Sequence, residues 1–200
     1  MQKKKILSVR AIVFVGVFAA LDIVLTRPFR TLGAPFNFGF LSIATAGSFF
    51  GPVYGAFTAL ISDFLGYLLF PQTSAYFPGY ALTAVLRALV YAFVFYRNPA
   101  MQINKDSNLF DWCKACIFCV FASGLNVAIN LFTLPLWQVI LSGTYQSYWL
   151  LVIKRIPNSL IFWLIQSVTL PILTRYLAPL REKYAPAPFR LRRFKVGGAG

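Results

Sequence analysis

Six apolar segments, separated by short connections rich in proline, glycine or basic residues, dominate this 200-residue chain. Hydrophobic residues make up 58% of it and charged residues only 12%, whereas soluble domains are about one quarter charged. About 20 apolar residues cross the hydrocarbon core of a bilayer as a helix. The pattern therefore predicts an all-α membrane protein, a six-transmembrane-helix bundle. Its predicted segments are 7–26, 38–50, 53–70, 79–96, 110–134 and 151–177.

Proline and glycine set most of these predicted boundaries. Pro135 is expected to end the fifth segment, because the stretch after it, PLWQVILSGTYQSYW, is too short and too interrupted to span. Pro157 and Pro171 are expected to bend the sixth segment. Residues 1–177 are predicted to form a single six-helix domain, and residues 178–200 a basic cytoplasmic tail. No small-residue cleavage site follows the first apolar segment, so it is expected to stay in the mature protein.

The basic residues are unevenly distributed over the connections. The chain has 19 Lys and Arg against five acids, a formal charge of +14. Fourteen of the 19 fall on the side of the two termini and of the connection RNPAMQINKDSN. This bias predicts that this side, with both termini, is cytoplasmic. The basic residues flank the spans instead of forming one stripe, which argues against nucleic-acid binding.

The outer connections combine cations with aromatic rings and contain no acid. The cations are Arg27, Arg30, Lys154 and Arg155, and the rings are Phe29, Phe36, Tyr76, Phe77, Trp137, Tyr145, Tyr148 and Trp149. One interpretation is the interfacial aromatic belt of membrane proteins, and it stays open for each ring. Cations without local counter-charges, next to stacking surfaces, favour instead a site for an anionic ligand with a flat ring system.

Charged residues inside the spans indicate further interactions below these connections. Asp63 and Arg87 lie at similar depths, about 12–13 Å from the loop between the third and fourth segments, so a buried pair between them is expected. The alternative is that Arg87 forms the floor of a ligand cavity. Asp22 lies about one turn from Arg27 and is expected to neutralise it, or alternatively to accept hydrogen bonds from a heterocycle.

The first segment carries small residues at the spacing of a close helix–helix contact. Gly16 and Ala20 form a G-x-x-x-A step beside Ala19. Such steps let two membrane helices approach each other closely. They predict a docking face for another membrane subunit.

The chain lacks the residues of common catalytic and metal sites. It contains no G-x-x-x-x-G-K-[ST] phosphate loop and no histidine. Cys113, Cys116 and Cys119 lack the fourth ligand of an iron–sulfur run and are interpreted as packing residues. Binding is therefore favoured over catalysis, and no catalytic residue and no metal site are predicted. Two alternatives remain open: an intramembrane thiol enzyme that uses Cys113 and Cys116, and a membrane scaffold without a ligand.

Two stretches carry a specific combination of motifs. They are FNFGFLSIATAGSFFGPVYGAFTALISDFLGYLLFP and YFPGYALTAVLRALVYAFVFY, which contain G-P-x-x-G, D-x-x-G and Y-F-P-G. In these motifs the chain resembles the S components, the substrate-binding membrane subunits of energy-coupling factor vitamin transporters, and most closely their folate-specific group. The similarity runs from about Val15 to Arg97, and more weakly through LPLWQVILSG and KRIPNSLIFWLIQ.

The resemblance implies a high-affinity vitamin-binding subunit of an ATP-driven importer in the bacterial cell membrane, and not an enzyme. It implies an outward-facing ligand pocket covered by the loops after the first and third helices. It also implies partners, which are a transmembrane coupling subunit and two cytoplasmic ATPases. Gly16, Ala19 and Ala20 are expected to dock the coupling subunit. No cofactor is expected in this chain, because the partners use the ATP.

The vitamin implied by the resemblance is folate, with riboflavin, cobalamin or a queuosine precursor as alternatives. Folate joins a flat pterin to a glutamate tail with two carboxylates. The expected ligand-binding residues are Arg27, Arg30, Lys154 and Arg155 for the carboxylates, Tyr76, Phe77, Trp137 and Trp149 for stacking, Asn37 and Asn158 for hydrogen bonds, and Arg87 beneath the loop.

Overall fold

A computed structural model of the chain describes residues 9–31, 38–70, 76–96, 98, 109–143 and 148–184. All regular structure in these ranges is helical, as the composition predicts. Six helices follow one another: α1 Val9–Thr31, α2 Gly39–Phe50, α3 Pro52–Leu69, α4 Pro78–Phe95, α5 Leu109–Ser142 and α6 Tyr148–Tyr184. The predicted all-α fold class is confirmed.

The helices form a bundle with an apolar exterior. By length and composition, α3, α4, α5 and α6 are able to cross a membrane, whereas α2 is a shorter apolar helix of 12 residues. Large hydrophobic side chains are exposed on α1, α3, α4, α5 and α6, for example Val24, Leu69, Phe93, Phe121 and Leu164. A surface this apolar is stable only against lipid. The chain is therefore a multi-pass membrane protein.

Glycine and proline separate α2 from α3, as the sequence predicts. Gly51 has a φ of 87° and joins the two helices, and Pro52 begins α3. A Cβ atom at Gly51 would also lie 3.0 Å from the ring of Tyr96. Both the left-handed backbone and this close ring require glycine at the turn.

The prediction that Pro135 ends the fifth helix is wrong. Helix α5 continues through Pro135 to Ser142, and α1 likewise continues through Pro28. A proline removes one helical hydrogen bond, but other donors can satisfy nearby carbonyl groups. The bond lost at Pro135 is that of the Leu131 carbonyl, four residues earlier, and α5 nevertheless continues. The loss at one proline is therefore tolerated inside a long apolar helix.

Two aromatic clusters fill the interior. One lies between α2, α4, α5 and α6 and contains Phe40, Tyr91, Phe95 and Phe162. The other lies between α1, α2 and α3 and contains Val15, Phe49, Phe50 and Tyr54. At one end of the bundle α1, α3 and α5 end and α2, α4 and α6 begin. This end is called the Arg27 end below.

Candidate ligand-binding site

Arg27 is buried at the Arg27 end and connects α1 to α3. Its side chain lies 3.5 Å from the Asp63 carboxylate and donates a hydrogen bond of 3.1 Å to the Asp63 carbonyl. The guanidinium packs on Gly66, where a Cβ atom would lie 2.6 Å from Arg27 Nε. Glycine at this position of α3 therefore makes room for the arginine. The close ion pair of Arg27 is thus with Asp63 and not with the expected Asp22, which interacts with Arg27 from a greater distance.

Tyr76, in the connection between α3 and α4, contacts the same acid. Its hydroxyl forms a hydrogen bond with the Asp63 carboxylate. Its ring packs on Tyr67, with centroids 5.2 Å apart, and on Phe64 at 5.8 Å. Partial burial is the largest cause that raises the pKa of the Tyr76 phenol. The charge of Asp63 and the hydrogen bond to Asp63 raise this pKa further. The phenol therefore stays protonated and donates to the acid.

An aromatic contact joins the beginning of α4 to α5. The rings of Phe77 and Trp137 have centroids 5.7 Å apart, and Trp137 Nε1 donates to Thr83 Oγ1 at 2.8 Å. Gly79 allows this arrangement, because a Cβ atom there would lie 2.6 Å from the Trp137 indole and would also collide with Phe77. Two of the four rings predicted to stack on a ligand thus contact each other in this structure, with their planes tilted by 54°.

Arg87 lies deeper in the bundle and faces α5. Its Nε donates to Asn126 Oδ1 at 2.8 Å, and Asn126 Nδ2 donates to the Arg87 carbonyl at 3.1 Å. Asp22 forms hydrogen bonds with Ser62 and Thr26. The expected Asp63–Arg87 pair is wrong, since Asp63 pairs with Arg27 and Arg87 with Asn126.

The predicted residues of α6 divide into two groups. Arg155 is half-buried and its Nη2 donates to Gln138 Oε1 on α5 at 3.1 Å. Trp149, Lys154 and Asn158 are exposed, and the Trp149 ring packs against Tyr148 with centroids 5.3 Å apart. The side chain of Arg30 and all of Asn37 lie outside the described residues. Of the predicted set, Arg27, Tyr76, Phe77, Arg87, Trp137 and Arg155 are thus held by contacts between helices at this end.

The sequence analysis missed two asparagines of α5, Asn126 and Asn130. Asn126 is buried and holds Arg87, whereas Asn130 Oδ1 is a buried acceptor that no donor reaches in the described part of the chain. A polar residue inside an apolar span is a functional signal in membrane proteins. The motif NVAIN, with two asparagines four residues apart, carries that signal.

The predicted docking residues of α1 point in two directions. Gly16 and Ala20 are exposed, and no atom lies within 4 Å of the position of a Gly16 Cβ. Ala19 is buried and packs into the bundle. The exposed small-residue face of α1 therefore consists of Gly16 and Ala20.

The opposite end of the bundle carries the cysteines and a small cavity. Cys113 and Cys116 lie near the beginning of α5, far along the helix from Trp137. The cavity, lined by Thr45, Ser48 and Thr174 among others, measures about 10 Å³, roughly the room for one water molecule. Within the described ranges, no three His, Cys, Asp or Glu side chains come together to hold a metal ion.

The helices and the polar, aromatic Arg27 end describe an all-α, multi-pass membrane protein. A family model described as ECF-type riboflavin transporter, S component, matches residues 6–180. A curated relative, the folate transporter FolT of Clostridium novyi (strain NT), is 31% identical over 140 residues, which are 68% of this chain and 72% of the relative. The chain belongs to the S components of ECF-type transporters.

Two further comparisons agree with this family. The folate transporter FolT of Leuconostoc mesenteroides subsp. mesenteroides is 26% identical over 167 residues, which are 80% of this chain and 82% of that protein. A crystal structure of FolT bound with folic acid is similar with a TM-score of 0.65 at 25% identity, covering 91% of this chain and 98% of that one. The predicted resemblance to the folate group of S components is confirmed.

Proposed function

We propose that this chain is the folate-binding subunit of an ATP-driven energy-coupling factor importer and that it is not itself an enzyme. The similarity to a folic acid-bound FolT structure over nearly the whole of both chains carries this proposal. The curated relatives, both folate transporters, support the same vitamin.

The Arg27 end supports an anionic ligand with a flat ring. Its arginines are anchored by neighbouring helices, and an anchored guanidinium loses little side-chain entropy when it binds a carboxylate. Arg27 already holds the Asp63 carboxylate, so it is positioned for this kind of partner. Phe77 and Trp137 offer aromatic faces at the same end of the bundle. The proposed ligand set remains Arg27, Arg30, Asn37, Tyr76, Phe77, Arg87, Trp137, Trp149, Lys154, Arg155 and Asn158.

Titration calorimetry of the detergent-purified chain tests the choice of vitamin. Folate, riboflavin, cobalamin and queuine are titrated separately under the same conditions. We expect folate to bind with at least 100-fold higher affinity than the other three, about 2.7 kcal/mol. Riboflavin is the second candidate, because the matching family model describes a riboflavin transporter. Preferential binding of riboflavin, or binding of none of the four, contradicts the folate assignment.

The proposed partners are a transmembrane coupling subunit and two cytoplasmic ATPases, which would use the ATP. Family membership supports such a complex. The exposed pair Gly16 and Ala20 is the proposed docking face on α1. The proposed location is the bacterial cell membrane, with both termini in the cytoplasm and the Arg27 end facing outward.

A further inference from the structure

One stripe of α5 faces α4 over several turns. Asn126 contacts Arg87 on α4, and Trp137 contacts Thr83 on the same helix. Asn130 and Trp137 are four and eleven residues after Asn126, so all three side chains project within about 40° of one another. Asn130 therefore lies on the α4-facing stripe between the two contacts.

The two contacts bracket Asn130 along the helix axis. Asn126 is about 6 Å deeper in the bundle, and Trp137 is about 10 Å nearer the Arg27 end. The Phe77–Trp137 aromatic contact thus lies on the outer side of Asn130, and the Arg87–Asn126 pair lies on its inner side. A ligand that enters from the Arg27 end and displaces the aromatic contact reaches Asn130 next.

The side-chain amide oxygen of Asn130 is a hydrogen-bond acceptor at this position. This Oδ1 atom is buried, and no donor within the described part of the chain reaches it. A buried acceptor without a hydrogen bond destabilises the protein, and the penalty is larger in an apolar surrounding. Native proteins satisfy nearly all such groups, so an exception requires an explanation. A donor supplied by a bound ligand provides one.

We propose that Asn130 is a specificity-determining residue that accepts a hydrogen bond from an N–H group on the heterocyclic head of the ligand. This inference rests on the proposed folate function. The pterin ring of folate carries an amino group and ring N–H donors at the end of the molecule remote from the two carboxylates. The head then enters first and reaches Asn130, while the carboxylates stay near Arg27. The Arg87–Asn126 pair positions α4 and α5 around the head.

The test compares folate with pteroate, which keeps the pterin head and lacks the glutamate tail. Calorimetry is carried out on the wild type, on Asn130→Ala and on Asn130→Leu, which keeps the number and branching of the side-chain heavy atoms. We expect both variants to bind folate and pteroate about tenfold more weakly, because one hydrogen bond in an apolar site is lost. The matched control is Asn98→Ala, whose amide bonds the Val94 carbonyl at the opposite end of α4. Its affinities should equal those of the wild type.

Thermal unfolding separates this role from a structural one. Asn130→Leu should not lower the unfolding midpoint of the ligand-free protein, because the buried oxygen has no hydrogen bond to lose. Asn126→Ala should lower it, because two hydrogen bonds to Arg87 disappear.

Three results would overturn the inference. If both Asn130 variants bind folate with unchanged affinity, the inference is overturned but the proposed function is not. The same holds if the variants lose affinity for folate while their affinity for pteroate is unchanged. A wild type that does not bind folate overturns the proposed function and this inference together.

Discussion

At the scale of residues, Arg27 shows how the chain retains a buried charge. The side chain is 8% exposed, and a charge so far from water requires a partner. Asp63 provides a carboxylate and a backbone carbonyl. Because the Asp63 side chain is 21% exposed, the pair is only partly desolvated. We expect it to contribute about 1–3 kcal/mol, between a surface pair and a fully buried one.

The Arg27–Asp63 pair can be measured with a double-mutant cycle. Arg27→Met should lower the free energy of unfolding by about 1–3 kcal/mol, because it leaves the Asp63 charge uncompensated. Adding Asp63→Leu should recover more than half of this loss. The measurement is denaturant unfolding in detergent. Lys114→Met, which removes an exposed cation above the Phe110 ring, serves as the control and should change stability by less than about 1 kcal/mol. Simple additivity of the two changes would disprove the coupling.

The depth of charged residues was predictable from the sequence, but their partners were not. Asp22 and Arg27 are five residues apart and so project about 140° from each other around α1. Asp22 lies against Gly39 of α2 and hydrogen-bonds Ser62 of α3, whereas Arg27 lies against Gly66, one turn further along α3. Arg87 shares the depth of Asp63 but faces α5. The direction of each side chain depends on how the helices pack, which residue counting does not reveal.

At the scale of elements, helix boundaries were predictable where glycine or proline stands at the helix end. The predicted limits of α2, α3 and α4 are within one residue of the observed ones, because Gly51-Pro52 and Pro78 stand at their ends. The predicted segments for α1, α5 and α6 end five, eight and seven residues too early. Their prolines lie inside apolar helices that neighbouring helices support, and a rule for soluble helices breaks such segments too early.

The exposed face of α1 leads to a prediction about assembly. Replacing Gly16 and Ala20 together by Leu should leave folate binding by the isolated chain unchanged, because neither residue contacts the Arg27 end. The bulky side chains should prevent close approach of a second helix and abolish co-purification with a co-expressed coupling subunit. Val168→Leu, a small enlargement at a 65% exposed site on α6, is the control and should co-purify normally. A wild-type yield of complex from the double variant would rule out this docking face.

At the scale of the whole molecule, the uneven charge predicts one orientation in the membrane. With 19 basic and five acidic residues, the side that retains most Lys and Arg should face the cytoplasm. In a variant with its three native cysteines replaced by Ala, a cysteine is introduced at Ser74 or at Ser107. Both positions lie outside the described residues. A membrane-impermeant maleimide should label the Ser74 variant on intact cells and the Ser107 variant only after permeabilisation. The opposite labelling pattern would show that the protein has the opposite orientation in the membrane.

Helix α2 differs from the other helices in its relation to the lipid. It has 12 residues, about 18 Å in length, and all but Leu41 are buried. A helix on the outside of the bundle must match a hydrocarbon thickness of about 30 Å, or the bilayer deforms at a cost. Because α2 is surrounded by protein, that hydrophobic mismatch does not arise. Bilayer thickness therefore constrains the lengths of the outer helices, whereas the length of α2 is constrained only by its protein neighbours.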